Sequence, residues 1–289
     1  MENLKIREMG MVDNTNGTLR SSAPSAQILL KGVTKSFLKG SGRVEAVSNC
    51  TLDIAENEFL VIVGPTGSGK STLLKMIAGF ETPSAGEILV GGKPVMGPGV
   101  DRGMIFQEYA LLPWRTVLQN VELGLEFQMG KRTPQIRERA MKYIDMVGLT
   151  YAVNKYPVEL SGGMKRRASL AMILVTKPRI LLMDGPFNAL DSKTKLTLHS
   201  EITRIWEQEH NTIIFVTSEL DEAVKLSDRI VVMNKAGRIS KVFANDLPRP
   251  RFGKAALEPA FHHRFIELRE AVMDEVKAGA GKVNCAADF

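Results

Sequence analysis

The most chemically specific run in the chain is Gly64, Pro65, Thr66, Gly67, Ser68, Gly69, Lys70, Ser71 and Thr72, which fits G-x-x-x-x-G-K-[ST]. It follows the apolar run 59–63 and precedes a helical pattern over 71–78, the strand-loop-helix order that such a loop requires. Glycines let the backbone wrap a phosphate chain closely, while its N–H groups and the helix N-terminus face the anion. Lys70 then reaches the outer phosphates and the Ser71 hydroxyl can ligate magnesium. Outside that context the same letters would be a glycine-rich turn with a chance lysine. Alone, the motif specifies a nucleoside triphosphate and nothing finer.

Magnesium beside phosphates needs a hard oxygen ligand, and the end of a second apolar strand is the place to look for it. Asp184, closing the run RILLMD, meets that requirement, although an Asp after a strand is also a common helix cap. Ser161, Gly162 and Gly163 open another helical stretch and would form a second anion-binding N-terminus. One phosphate chain rarely needs two cradles in one subunit. The simplest solution is that the second serves a nucleotide held by another copy; in isolation, S-G-G would more often be a plain cap or turn.

The 289 residues allow one large α/β domain or two modest lobes. Apolar residues at 44% and charged residues at 24% are ordinary globular usage, which excludes collagen-like, disordered and disulfide-scaffold readings. Apolar runs such as 59–63 and 180–183 fall far short of the roughly 18 residues a membrane span needs. The opening MENLKIREMG lacks the apolar block of a secretory signal, so the chain is expected to stay where it is made. Cys50 and Cys285 show no metal-ligand spacing and fit a reducing compartment, Cys50 as small core filling. A net charge of +6 permits an anionic partner, yet no long basic run or aromatic-basic interleaving occurs, so no nucleic-acid partner is expected.

The pattern predicts a flexible leader at 1–27, then short β runs at 28–30, 43–47, 51–54 and 59–63 as an antiparallel layer leading into one buried strand. A hairpin around Gly91 and Gly92 should span 86–95, and the middle of the chain, 118–175, is mostly helical. From Arg179, strands at 180–183, 212–216 and 229–232 alternate with helices at 193–209 and 220–226, the pattern of a covered parallel sheet. PRPRFG from Pro248 cannot be helix interior, and a helical period follows over 261–276.

The whole set resembles the ATP-binding subunit of ABC transporters across residues 28–242. The resemblance makes Phe37 the aromatic that stacks on adenine, Gln107 in IFQEYALLPW the glutamine that touches magnesium and marks the loop facing the membrane subunits, and Asp184 the magnesium aspartate. It makes LSGGM at 160–164 the family signature and Ala189, Leu190 and Asp191 the loop that crosses a dimer interface. On the residues alone, Phe37 could be strand core and Gln107 an ordinary loop residue. FQEYALLPWRTVLQNV, LSGGMKRR and the PRPR tail look most like the importer branch serving nitrate, sulfonate, taurine or bicarbonate.

This likeness implies an α/β fold: a P-loop NTPase core, a mixed sheet with helices on both faces, plus an antiparallel β layer and an inserted helical subdomain at about 112–175. The ATP-binding domain would cover 28–246, with 247–289 a tail holding one helix. ATP and Mg²⁺ would be the cofactors. The partners implied are a second ATP-binding subunit in a homodimer or heterodimer, integral membrane permease subunits and, indirectly, an extracytoplasmic solute-binding protein, with the chain peripheral on the cytoplasmic face of the membrane.

Three positions depart from the family's pattern. Gly185 stands where a glutamate usually polarises the attacking water, Ser218 where a histidine meets the γ-phosphate, and Asn188 where the branch usually has glycine. Losing a positioned base costs roughly 10²–10⁴-fold in rate, while a P-loop with magnesium still positions and neutralises the phosphates. The expectation is intact binding, ATP-driven dimerisation and weak hydrolysis. Glu219 and Asp191 are candidate substitutes for the base, but Ser218 followed by acidic residues also reads as a helix cap and first turn. A nucleotide switch or assembly subunit that pairs with an intact ATPase is the alternative. A soluble relative acting on ribosomes or DNA would usually show a tandem domain or a coiled-coil insertion between the phosphate loop and the signature, and that reading is not expected here.

Overall fold

The computed structural model describes residues 26–40, 42–130, 133–188, 190–253 and 258–280. Of the residues singled out above, Ala189 and Cys285 lie outside that set, as do residues 1–25 of the expected leader. Two of its positions, Ala26 and Gln27, belong instead to the first strand.

Two sheets organise the chain. The smaller has four strands in the order β2-β1-β4-β5, with β1 Ala26–Lys39, β2 Gly42–Ala55, β4 Ala85–Val90 and β5 Lys93–Pro94. Its strand pairs are antiparallel. The larger runs β10-β9-β3-β8-β7-β6, built from β3 Phe59–Val63, β6 Arg102–Ile105, β7 Ile180–Asp184, β8 Thr212–Val216, β9 Arg229–Met233 and β10 Ile239–Ala244. Five of these strands are parallel and β10 is antiparallel to β9.

The runs 43–47 and 51–54, expected as separate strands, are one strand. Asn49 adopts a left-handed φ of 45° between them, so a polar residue that reads as a turn is an irregularity inside β2. The expected hairpin forms with Gly91 and Gly92 at φ 55° and 75°, the positive values a two-residue turn asks for.

Each central strand is buried on both faces, which is why these strands read as unbroken apolar runs. Leu60, Ile62, Leu182 and Ile214 face the four-stranded sheet and helix α1 (Lys70–Ala78). Phe59, Val61, Val63, Met183 and Phe215 face the other way, into a core shared with the remaining helices. These are α2 (Val117–Met129), α3 (Pro134–Met146), α4 (Gly162–Leu174), α5 (Ser192–Glu209), α6 (Leu220–Leu226) and α7 (Pro259–Gly279). Cys50 is buried in the first core as a free thiol, and burial raises its pKa.

The tail is tied to α6. Arg251, only 2% exposed, donates to the carbonyls of Val224, Ser227, Asn245 and Leu247, and burial, with Arg249 nearby, pushes its pKa down to about 10. PRPR thus anchors the chain before α7 begins.

Candidate functional site

The ends of four neighbouring parallel strands bring the site together. Ile62 pairs with Val216, Val216 with Asp184 and Met183 with Ile105, so the loops after β3, β8, β7 and β6 leave the sheet at one level. Open parallel sheets bind ligands at this edge. Residues 64–72, Ser218, Asp184 with Gly185, and Gln107 all lie on these strand ends or loops.

Within the first loop Gly64 and Ser68 are buried while Thr66 and Gly67 form an exposed tip. Gly69 caps α1 at φ 86°, where a Cβ would lie 2.1 Å from the Ala46 carbonyl oxygen, so only glycine lets the loop turn against β2. No acidic side chain stands in the first turn of α1, which leaves its N-terminal N–H groups suited to an anion. The Lys70 ammonium donates to the Gly64 and Pro65 carbonyls at 2.8 Å each and to Ser68 Oγ at 3.3 Å. Burial lowers its pKa, and the Asp184 charge opposes that shift. A partly desolvated cation cradled by carbonyls is poised for a stronger anionic partner.

Ser71 Oγ donates to Asp184 Oδ1 at 2.9 Å, and Asp184 is 7% exposed. A hydroxyl and a carboxylate side by side form a hard-oxygen pair, the donor set that would suit Mg²⁺ beside phosphates. Among the described residues no group of three or more His, Cys, Asp or Glu could hold a metal by itself. Gln107 lies just beyond β6, its side chain exposed and its carbonyl accepting from Arg166. Phe37 is 39% exposed on β1, opposite Val44 and with Lys35 Nζ 5.0 Å from its ring centroid, so it is not strand core.

Ser161 is exposed and caps α4, its hydroxyl accepting from Met164 N–H at 3.3 Å, with Gly162 and Gly163 next. No hydrogen bond joins 161–163 to 64–72 among the described residues. The plain cap is therefore real, and it leaves the helix N-terminus open at the surface.

Both proposed substitutes for the missing base are engaged. Glu219 pairs with Lys195 at 2.5 Å, and Asp191 caps α5 by accepting from Thr194 N–H at 2.9 Å. Ser218 is exposed but is not the cap of α6. Glu219 is the residue that precedes the helix at Leu220, and the Thr217 hydroxyl, not that of Ser218, accepts from Glu219 N–H at 3.0 Å.

Two buried groups carry no sequence signal strong enough to assign. Arg166, 4% exposed, donates to the Phe106 and Gln107 carbonyls and sits 5.0 Å from the Tyr109 ring centroid, which ties the helix after LSGGM to the loop holding Gln107. Glu222 accepts from the Thr217 hydroxyl at 2.6 Å and lies 3.1 Å from His199 Nε2, while His199 packs edge-on against Phe187. Burial would raise the Glu222 pKa, but the hydrogen bonds from His199 and Thr217 and the charges of His199 and Lys195 outweigh it and lower it.

A family model described as "ABC transporter" matches residues 47–188. An uncharacterized ABC transporter ATP-binding protein of Methanocaldococcus jannaschii is 45% identical over 87% of this chain and 91% of its own. The chain belongs to the ABC transporter family, among its ATP-binding subunits. A nitrate import ATP-binding protein of Synechocystis sp. is 44% identical, covering 78% of this chain and 87% of the relative. An aliphatic sulfonates import ATP-binding protein of Bacillus cereus is 37% identical over 87% and 96%. The solved dimeric structure of a bacterial ABC transporter cassette superposes with a TM-score of 0.71 at 34% identity, covering 75% of this chain and 98% of that one. Like them this chain is a cassette: a mixed sheet with helices joined to an antiparallel sheet. No helix among the described residues is long and apolar enough to cross a membrane.

Proposed function

We propose that the chain is the ATP-binding subunit of an importer of the nitrate, sulfonate, taurine or bicarbonate type, that it binds Mg-ATP in a head-to-tail dimer, and that it hydrolyses ATP slowly. The observation that carries this reading is the Ser71 hydroxyl on Asp184 at 2.9 Å beside the partly buried Lys70 ammonium. The roles follow from chemistry. Residues 64–72 hold the phosphates, and Lys70 exchanges its two loop carbonyls for phosphate oxygens. Ser71, Asp184 and Gln107 would hold magnesium, which when bound supplies charge neutralisation at the phosphates. Phe37 offers an exposed ring to the base. Ser161, Gly162 and Gly163 of one copy meet the nucleotide of the other, which the exposed cap of α4 supports.

The membrane side is read from the same loop. Tyr109 and Trp114, 38% and 70% exposed, flank the stretch after Gln107 and suit contact with permease subunits, which would keep the chain peripheral at the cytoplasmic face. The transported solute is chosen by the permease and binding protein, not by this subunit.

Slow turnover is supported by Gly185 and Ser218 and by the engagement of Glu219 with Lys195. The same residues support a second reading, a nucleotide switch that pairs with an intact ATPase. Steady-state hydrolysis by the purified chain tests the slow-turnover reading. Binding of Mg-ATP with slow but measurable turnover is expected, and rapid hydrolysis that vanishes in Lys70→Ala would contradict it.

A further inference from the structure

Gly185 is buried at a left-handed φ of 53°, its N–H donating to the Val216 carbonyl at 2.9 Å. A Cβ on this residue would lie 2.5 Å from Asn188 Nδ2 and 3.2 Å from Asn188 Cγ. The Asn188 carboxamide therefore lies directly over the Gly185 Cα, one residue past Asp184, in space that a larger residue at 185 would claim. Asn188 is exposed, and no hydrogen bond occupies its carboxamide among the described residues. Two amide donors and a carbonyl acceptor are thus presented over Gly185, the residue that follows Asp184.

We propose that Asn188 is a positioning residue for ATP hydrolysis, its carboxamide holding the attacking water or a terminal phosphate oxygen. This inference rests on the Mg-ATP reading above. In the step itself, the water oxygen bonds to the terminal phosphorus while the bridging P–O bond breaks, giving ADP and phosphate. An amide can orient that water but cannot take its proton, which passes to a phosphate oxygen and then to solvent. Residual but slow turnover is the consequence. Gly185 and Asn188 act as one unit, because any side chain at 185 displaces the carboxamide.

The experiment uses the full chain and its Asn188→Ala, Asn188→Asp and Gly185→Ala variants. Affinity is read with trinitrophenyl-ATP, and hydrolysis of γ-labelled ATP is followed from pH 5 to 9. Removing one well-placed donor costs up to roughly 10²–10³-fold in kcat at a closed site, so about tenfold is expected at this exposed one. Asn188→Ala should lose about tenfold in kcat with KM and affinity nearly unchanged. Gly185→Ala should do the same, and the two losses should not add. Asn188→Asp, nearly isosteric but able to accept a proton, should raise kcat and introduce an acid limb that the parent lacks. Wild-type kcat and pH profile in Asn188→Ala and Asn188→Asp, with nucleotide still bound, would overturn this proposal alone. Failure of the parent chain to bind the probe would overturn the Mg-ATP reading together with it.

Discussion

Ser71 and Asp184 stand 113 positions apart in the chain, yet the serine hydroxyl donates to the aspartate over 2.9 Å. The contact exists because β3 and β7 both flank β8 and end at the same level, one leading into the phosphate loop and the other closing on the carboxylate. If this pair holds magnesium, Asp184→Asn should strip most of the magnesium dependence from ATP affinity while leaving metal-free binding intact. Titration with and without magnesium checks it. An unchanged magnesium dependence would remove Asp184 from the metal site.

Gly69→Ala should damage the same site from the backbone. A left-handed conformation costs a non-glycine residue about 1–2 kcal/mol, and the added carbon would meet the Ala46 carbonyl oxygen at 2.1 Å. Lower thermal stability together with at least tenfold weaker nucleotide affinity is expected. A variant with wild-type melting and affinity would show that the loop does not need this turn.

Arg166→Ala should loosen the segment that carries Gln107. The guanidinium serves the Phe106 and Gln107 carbonyls, and buried hydrogen bonds to a charged group contribute about 1.5–3 kcal/mol each. Faster hydrogen exchange at 106–110, with nucleotide affinity little changed, is the expected result. Unaltered exchange there would mean that the loop is held by other contacts.

Glu222 makes part of the stability pH-dependent. Its folded carboxyl binds a proton less readily than the unfolded one, whose ordinary value is 4.5, so its stabilisation is complete above that value and is lost as pH falls through the lower folded pKa. Denaturant midpoints of the wild type should drop on acidification below about pH 4.5. Glu222→Gln should be less stable at neutral pH and lose less on acidification. Parallel pH curves for the two proteins would contradict this account.

Much of the fold was legible because its central strands are apolar on both faces and are punctuated by glycine and charge. Strand β8 and helix α6 fall on their expected bounds for that reason. Strands β6 and β10 were not expected: RGMI is four residues with a glycine, and ISKVFA breaks its apolar positions with Ser240 and Lys241, so neither makes a strong period. At the candidate site, the phosphate loop, Asp184 and Ser161 could be proposed from motif and spacing. The engagement of Glu219 by Lys195, the Glu222–His199 pair and the seat of Asn188 on Gly185 join separate elements and have no local pattern to betray them.

Nucleotide should join two copies of the chain through the exposed cap of α4. Light scattering of the full chain with saturating Mg-ATP measures this directly. Twice the 31.8 kDa chain mass is predicted, reverting to a single chain when Ser161 is replaced by arginine. A mass of one chain at saturation, with ATP bound, would contradict it.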